Sequence, residues 1–147
     1  MLAAGCASVS ARHSHPDFTG TWVLNAAQSR LEIPSPDSTI FVIRHLDPAV
    51  RMFRTHARAG TLDTATVTLR TDSSEVHWEL RGARVTSRSW WEGNGLVFWS
   101  ALARGDQRAS QVVRYSLSAD RRTFTAIETV DAGAASHVNR WVFDRRQ

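Results

Sequence analysis

Cysteine is all but missing from this 147-residue chain and lysine is missing altogether. No apolar run reaches the roughly 18 residues that a membrane-crossing helix requires. The single cysteine, Cys6, excludes an internal disulfide framework and any zinc site built from several thiolates. With no lysine, all 18 basic residues are arginine. GC-rich codon usage accounts for that bias, although guanidinium groups also suit carboxylate, phosphate or aromatic partners. The only adjacent pairs are Arg121-Arg122 and Arg145-Arg146, so the clustered basic stripe that binds nucleic acid is lacking. Also lacking are Gly-x-Ser-x-Gly, a phosphate loop and His-Glu-x-x-His. His45, His56, His77 and His137 are scattered along the chain, which argues against a catalytic constellation. What remains, at 42% apolar residues, 22% charged and a net charge of +4, is the composition of one globular domain with a core of its own.

From Asp17 onward short apolar-polar alternations rich in Val, Thr, Trp and Phe are separated by turn clusters, the period-two signature of strands with one buried face. Phe18 to Leu24 places Phe18, Gly20, Trp22 and Leu24 on one side. Asn25 to Leu31 is the one candidate for a short helical turn, with Asn25 as its cap and Pro34 and Pro36 beyond it. Strands are then expected at Thr39 to His45, Val50 to Ala57, Thr61 to Thr71, Val76 to Arg81, Ala83 to Trp91, Leu96 to Arg104, Ala109 to Leu117, Thr123 to Asp131 and His137 to Asp144. The Asn94-Gly95 pair is a strong hairpin signal. Connections this short cannot hold crossover helices, so neighbouring strands run antiparallel. A meander of about ten strands has bare edges unless it closes. The expected fold is therefore all-β: an antiparallel up-and-down barrel over residues 17–147.

Residues 1–16 differ in texture. Ala3-Ala4-Gly5-Cys6 resembles the lipobox that ends a bacterial lipoprotein signal peptide, in which the cysteine becomes lipidated. Ala3 stands where that motif usually has leucine, and only five residues precede Cys6, fewer than the roughly 7 to 15 apolar residues of an export signal. The expectation is that the true start lies upstream, the alternative being that Cys6 is an ordinary free thiol. Ala7 to Pro16 reads as a polar tether. Its His13-Ser14-His15 is too sparse for a firm metal site.

Phe18-Thr-Gly-Thr-Trp-Val-Leu-Asn25 resembles the Gly-x-Trp first strand of the calycins, the lipocalins and fatty-acid-binding proteins. With Trp91-Glu-Gly-Asn-Gly-Leu96 and Leu117-Ser-Ala-Asp120, it is similar to small secreted bacterial lipocalin-like proteins of unassigned function. The resemblance implies that Trp22 closes the barrel floor, with Gly20 leaving room for close backbone approach. It also implies that an arginine of the last strand lies across the indole. Arg140 is the candidate for that arginine, with Arg145 as the alternative by strand parity. Many fatty-acid-binding proteins end in an Arg-x-Tyr carboxylate clamp. Here Trp141 and Phe143 take those two places, so the clamp is missing.

The functional expectation is a non-catalytic cell-envelope protein, monomeric, that holds a small apolar or amphipathic ligand, with Trp78, Trp91, Phe98 and Tyr115 lining the site. One of Trp90 and Trp91 must face outward. The alternatives are a packed barrel that serves as an envelope interaction module and, further off, a calycin-type enzyme or a heme-binding protein. No cofactor or metal is expected. Lipidation at Cys6, followed by Ala7 rather than Asp, would place the protein at the periplasmic face of the outer membrane; without it the protein would be secreted. With an export signal supplied upstream, metabolic labelling with a fatty acid should mark the wild type and leave Cys6→Ala unlabelled.

Overall fold

The computed structural model describes residues 15–147. Cys6 with its lipobox and His13 lie outside the described residues. The chain forms β1 (Gly20–Leu24), β2 (Arg30–Leu31), β3 (Ser38–Leu46), β4 (Ala49–Arg58), β5 (Thr61–Arg70), β6 (Val76–Leu80), β7 (Ala83–Glu92), β8 (Gly95–Arg104), β9 (Gln107–Leu117), β10 (Thr123–Asp131) and β11 (His137–Arg145). All pairings are antiparallel, in the spatial order β5-β4-β3-β1-β11-β10-β9-β8-β7-β6, with the two-residue β2 laid on β11. The result is the expected up-and-down barrel. The stretch after β1 is the expected single turn, capped by Asn25. The Gln28 N–H donates to the Asn25 side-chain oxygen at 3.1 Å and the Ser29 N–H to the Asn25 carbonyl at 3.1 Å. The chain then straightens into β2, because Asn139 and Glu32 tie it to β11.

The first and last strands close the barrel. Trp22 pairs directly opposite Arg145, and Leu24 opposite Phe143. The opening lies elsewhere, between β5 and β6, and it is pinned at both ends. Near the floor Asp72 bridges to Trp90, and the Ser89 hydroxyl donates to the Arg70 carbonyl at 3.2 Å. Near the mouth an Arg81–Asp63 ion pair spans the gap at 2.8 Å. β5 is paired with β4 along its whole length, and its other side is the edge of the sheet.

Floor and mouth are packed differently. At the floor Phe18, Trp22, Phe124, Leu96, Val50 and Leu69 are all buried, with Phe124 against Trp22 at 5.5 Å and against Phe18 edge-on at 5.8 Å. Such ring pairs add about 0.5–1.5 kcal/mol each beyond their area burial. The Trp22 indole N–H donates to the Phe18 carbonyl at 3.0 Å, which satisfies the one polar atom of a fully buried side chain.

The arginine over Trp22 is Arg145, not Arg140. The Arg145 guanidinium carbon lies 4.3 Å from the ring centroid. Its Nη1 donates to the Thr19 carbonyl at 3.0 Å and its Nε to the Arg121 carbonyl at 2.9 Å. Parity decides the matter: Asn139, Trp141, Phe143 and Arg145 share the inward face of β11, while Arg140 points outward and donates to the Gln28 carbonyl. Gly20 makes this contact sterically available. A Cβ there would stand 2.7 Å from Arg145 Nη1, and its φ of +152° is one that side-chain-bearing residues rarely adopt.

Trp22→Ala is expected to cost about 3–5 kcal/mol in urea denaturation, the range for emptying a large aromatic site. A double-mutant cycle of Trp22→Phe with Arg145→Ala should give a coupling of about 0.5–2 kcal/mol, whereas the same cycle with Arg140→Ala should give about zero.

Candidate binding cavity

Above the floor the interior opens. A deep part of about 140 Å³ lies among Phe41, Met52, Phe98, Tyr115, Trp141 and Phe143. A wider part of about 420 Å³ extends past Trp78, Leu80, Val85 and Leu102 toward the β5–β6 opening. The two share Arg54, Ala65, Val67, Phe98 and Gln111 in their walls. Each residue arrives by strand parity. Val50, Met52, Arg54 and His56 are alternate positions of β4; Leu96, Phe98, Ser100 and Leu102 of β8; Phe124, Ala126, Glu128 and Val130 of β10. Three of the four aromatic residues proposed from the sequence meet here: Trp78 in the wide part, Tyr115 in the deep part and Phe98 between them.

Trp91 does not join them. It faces inward as expected, but it lies beside the β7–β8 turn, paired with Leu96 at floor level. There it stacks on His15 at 4.3 Å with the planes 5° apart and lies 5.9 Å from Phe18 and 5.8 Å from His45. Parity gives the face, whereas the distance along the strand gives the depth. His15, assigned by sequence to the tether, is thus packed against the floor. Its neighbour in that cluster, His45, contacts Asp47 at 2.8 Å. Among the described residues no group of three or more His, Cys, Asp or Glu side chains is arranged to hold a metal.

The polar side chains of the cavity were not singled out by sequence. Arg54 Nη2 donates to Asp63 Oδ2 at 2.9 Å, and Asp63 reaches Arg81 with its other oxygen. Arg54 Nε is buried and has no acceptor among the described residues. Glu128 accepts from Asn139 Nδ2 at 2.8 Å and from Trp141 Nε1 at 3.1 Å, both at Oε2. The Tyr115 ring stacks on Phe124 at 5.6 Å. Burial, reinforced by the negative charge of Glu128, pushes the Tyr115 phenol up and keeps it neutral. The His56 imidazole lies 2.6 Å from the Thr39 hydroxyl and against Trp141. Burial first, and then the positive charge of Arg54, hold its pKa below the ordinary histidine value, against the opposing pull of Asp63 and Glu128. A signal for these residues existed: Arg54 and His56 continue the inward series Val50, Met52, and Glu128 continues Phe124, Ala126.

These walls offer an apolar chamber with a few fixed hydrogen-bonding groups. They place the Thr39 hydroxyl against the His56 imidazole, and among the described residues Asp63 and Glu128 are each engaged by their own donors rather than paired with one another.

No family model and no curated protein matches the sequence. Solved structures do match the fold. Human cRBP IV is 12% identical with a TM-score of 0.58, covering 89% of this chain and 99% of that one. Secretory abundant heat soluble protein 4 from Ramazzottius varieornatus is 10% identical with a TM-score of 0.63, covering 92% and 99%. Zebrafish ileal bile acid-binding protein in complex with cholic acid is 12% identical with a TM-score of 0.55, covering 88% and 98%. At these identities the likeness is one of architecture: the shared feature is the antiparallel β-barrel.

The depressed His56 has a consequence for stability. Below about pH 6.5 the unfolded chain takes up a proton that folded His56 resists, so stability is full above that pH and falls as the pH drops toward the folded pKa. Asp72, held low chiefly by its hydrogen bond from Arg70, acts with the same sign in a more acidic window. Chemical denaturation of His56→Gln should therefore show a smaller loss of stability between pH 7 and 5 than the wild type, with the loss below pH 4 unchanged.

Proposed function

We propose that this protein is a non-catalytic binding protein that takes one small amphipathic molecule into the mouth half of its barrel. The observation that carries this reading is the cavity itself. Its wide part falls within the range of about 300–1,000 Å³ typical of small-molecule sites, and aromatic walls surround a few fixed polar groups. The architectural likeness to a bile acid-binding protein supports the same reading. Burial also supports it: the rings of Phe18, Trp22 and Phe124 at the floor are fully buried, whereas Phe98, Tyr115 and Trp141 line the cavity. The Cys6 motif supports attachment to an envelope membrane, with residues 7–14 leading to the barrel, which acts as a monomer.

An uncharged fluorescent probe, N-phenyl-1-naphthylamine, should bind the wild type at micromolar concentration with a blue-shifted, enhanced emission. Ala65, half-buried and shared by both parts of the cavity, is the place to block it. Ala65→Trp should reduce binding at least about tenfold while its urea midpoint stays close to wild type, because the indole enters open space rather than a packed core. A wild-type protein with no saturable binding would reject the reading.

A further inference from the structure

The cavity's charges distinguish among ligands. Arg54 lies where its two parts meet, and its side chain is 32% exposed. Of the five N–H donors of its guanidinium, only Nη2 finds an acceptor among the described residues, and that acceptor is Asp63. Arg54 therefore has donors to spare, while its charge is already engaged in an ion pair with Asp63. Asp63 is shared with Arg81 at the rim, so one carboxylate serves two guanidinium groups.

Glu128 is the reverse case. Its two hydrogen-bond donors, Asn139 and Trp141, are both neutral and both address Oε2. Among the described residues no cation lies within ion-pair distance of Glu128. His56 faces the same chamber, and its burial keeps it uncharged at neutral pH. Of the two charged groups facing the deep part of the cavity, Arg54 has an ion-pair partner and Glu128 has none among the described residues. The β11 residues that line this part are Trp141 and Phe143, so no cation on β11 offsets Glu128.

A ligand carboxylate placed here would meet an unpaired carboxylate and a guanidinium already paired. A hydroxyl or carbonyl oxygen would take an unused Arg54 donor without adding charge. We propose that the barrel selects an uncharged ligand whose hydroxyl or carbonyl oxygen docks on Arg54, and that it rejects the carboxylate of the same carbon skeleton. This rests on the reading of the barrel as a binding protein, and it adds Arg54 as the polar anchor and Glu128 as the discriminating residue.

The experiment is displacement of N-phenyl-1-naphthylamine at pH 7.4 by decan-1-ol and by decanoic acid, both kept monomeric. Decan-1-ol should displace the probe at least about tenfold more effectively than decanoate. Glu128→Gln can still accept both hydrogen bonds through its amide oxygen while losing the charge, and it should narrow the preference to within about threefold. Arg54→Met should weaken decan-1-ol about tenfold relative to the probe's own affinity for the same variant. Thermal melts check that both variants fold, and should Arg54→Met fail, Glu128→Gln carries the test alone. Probe binding with equal displacement by alcohol and acid, or with displacement by neither, would overturn the neutral-ligand proposal and leave the binding reading standing. A preference undiminished in Glu128→Gln would overturn the assignment to Glu128. No probe binding at all would remove both.

Discussion

The barrel depends on a single seam, the contact between Trp22 on the first strand and Arg145 on the last. Chain ends are where a sheet loses pairing most cheaply, and an open meander would expose two rows of unpaired backbone groups. Here the indole and the guanidinium lie on opposite sides of that join. The guanidinium also donates to the Thr19 and Arg121 carbonyls, so one side chain ties the N-terminal segment, the β9–β10 turn and the last strand together. Gly20 belongs to the same unit, since a methyl group there would collide with the guanidinium. Glycine, tryptophan and arginine act as one device in which each member makes room for or holds the next.

A floor sealed this way separates stability from binding. The large rings Phe18, Trp22 and Phe124 are concentrated at one end, where they are fully buried. The other end can therefore carry open surface and charge without dissolving the fold. Charged groups in such a place are tolerable only when they are paired or hydrogen-bonded. Asp63 between two arginines and Glu128 beneath two neutral donors meet that condition in different ways. The chamber thus holds a cation in an ion pair and an anion held by neutral donors alone.

The β5–β6 opening follows from the same economy of contacts. Ladder pairing between β5 and β6 is given up altogether, and hydrogen bonds at the floor end and an ion pair at the mouth hold the two edges together. The ion pair is built on Asp63, which also holds Arg54, so the width of the opening and the orientation of the cavity's anchor share one carboxylate. Leu62 and Leu80, exposed beside that pair, mark the rim.

The sequence by itself determined the barrel, because alternation and turn chemistry are local: period-two runs joined by tight turns leave antiparallel closure as the way to bury one face. It also determined which face each residue takes, so that Trp22, Trp78, Phe98 and Tyr115 point inward as their spacing requires. Applied to the end of the chain, the same parity points to Arg145 rather than Arg140, and applied to β4 and β10 it points to Arg54, His56 and Glu128. What parity could not supply is depth and register. Trp91 has the right face and the wrong height, because its level depends on where the β7–β8 hairpin turns relative to distant Phe18. The partnership of Arg54 with Asp63, and of Glu128 with Asn139 and Trp141, exists only once separate strands are set side by side. Only the tertiary structure decided which inward positions are packed solid and which surround a cavity, since that is fixed by how side chains from all the strands meet across the barrel.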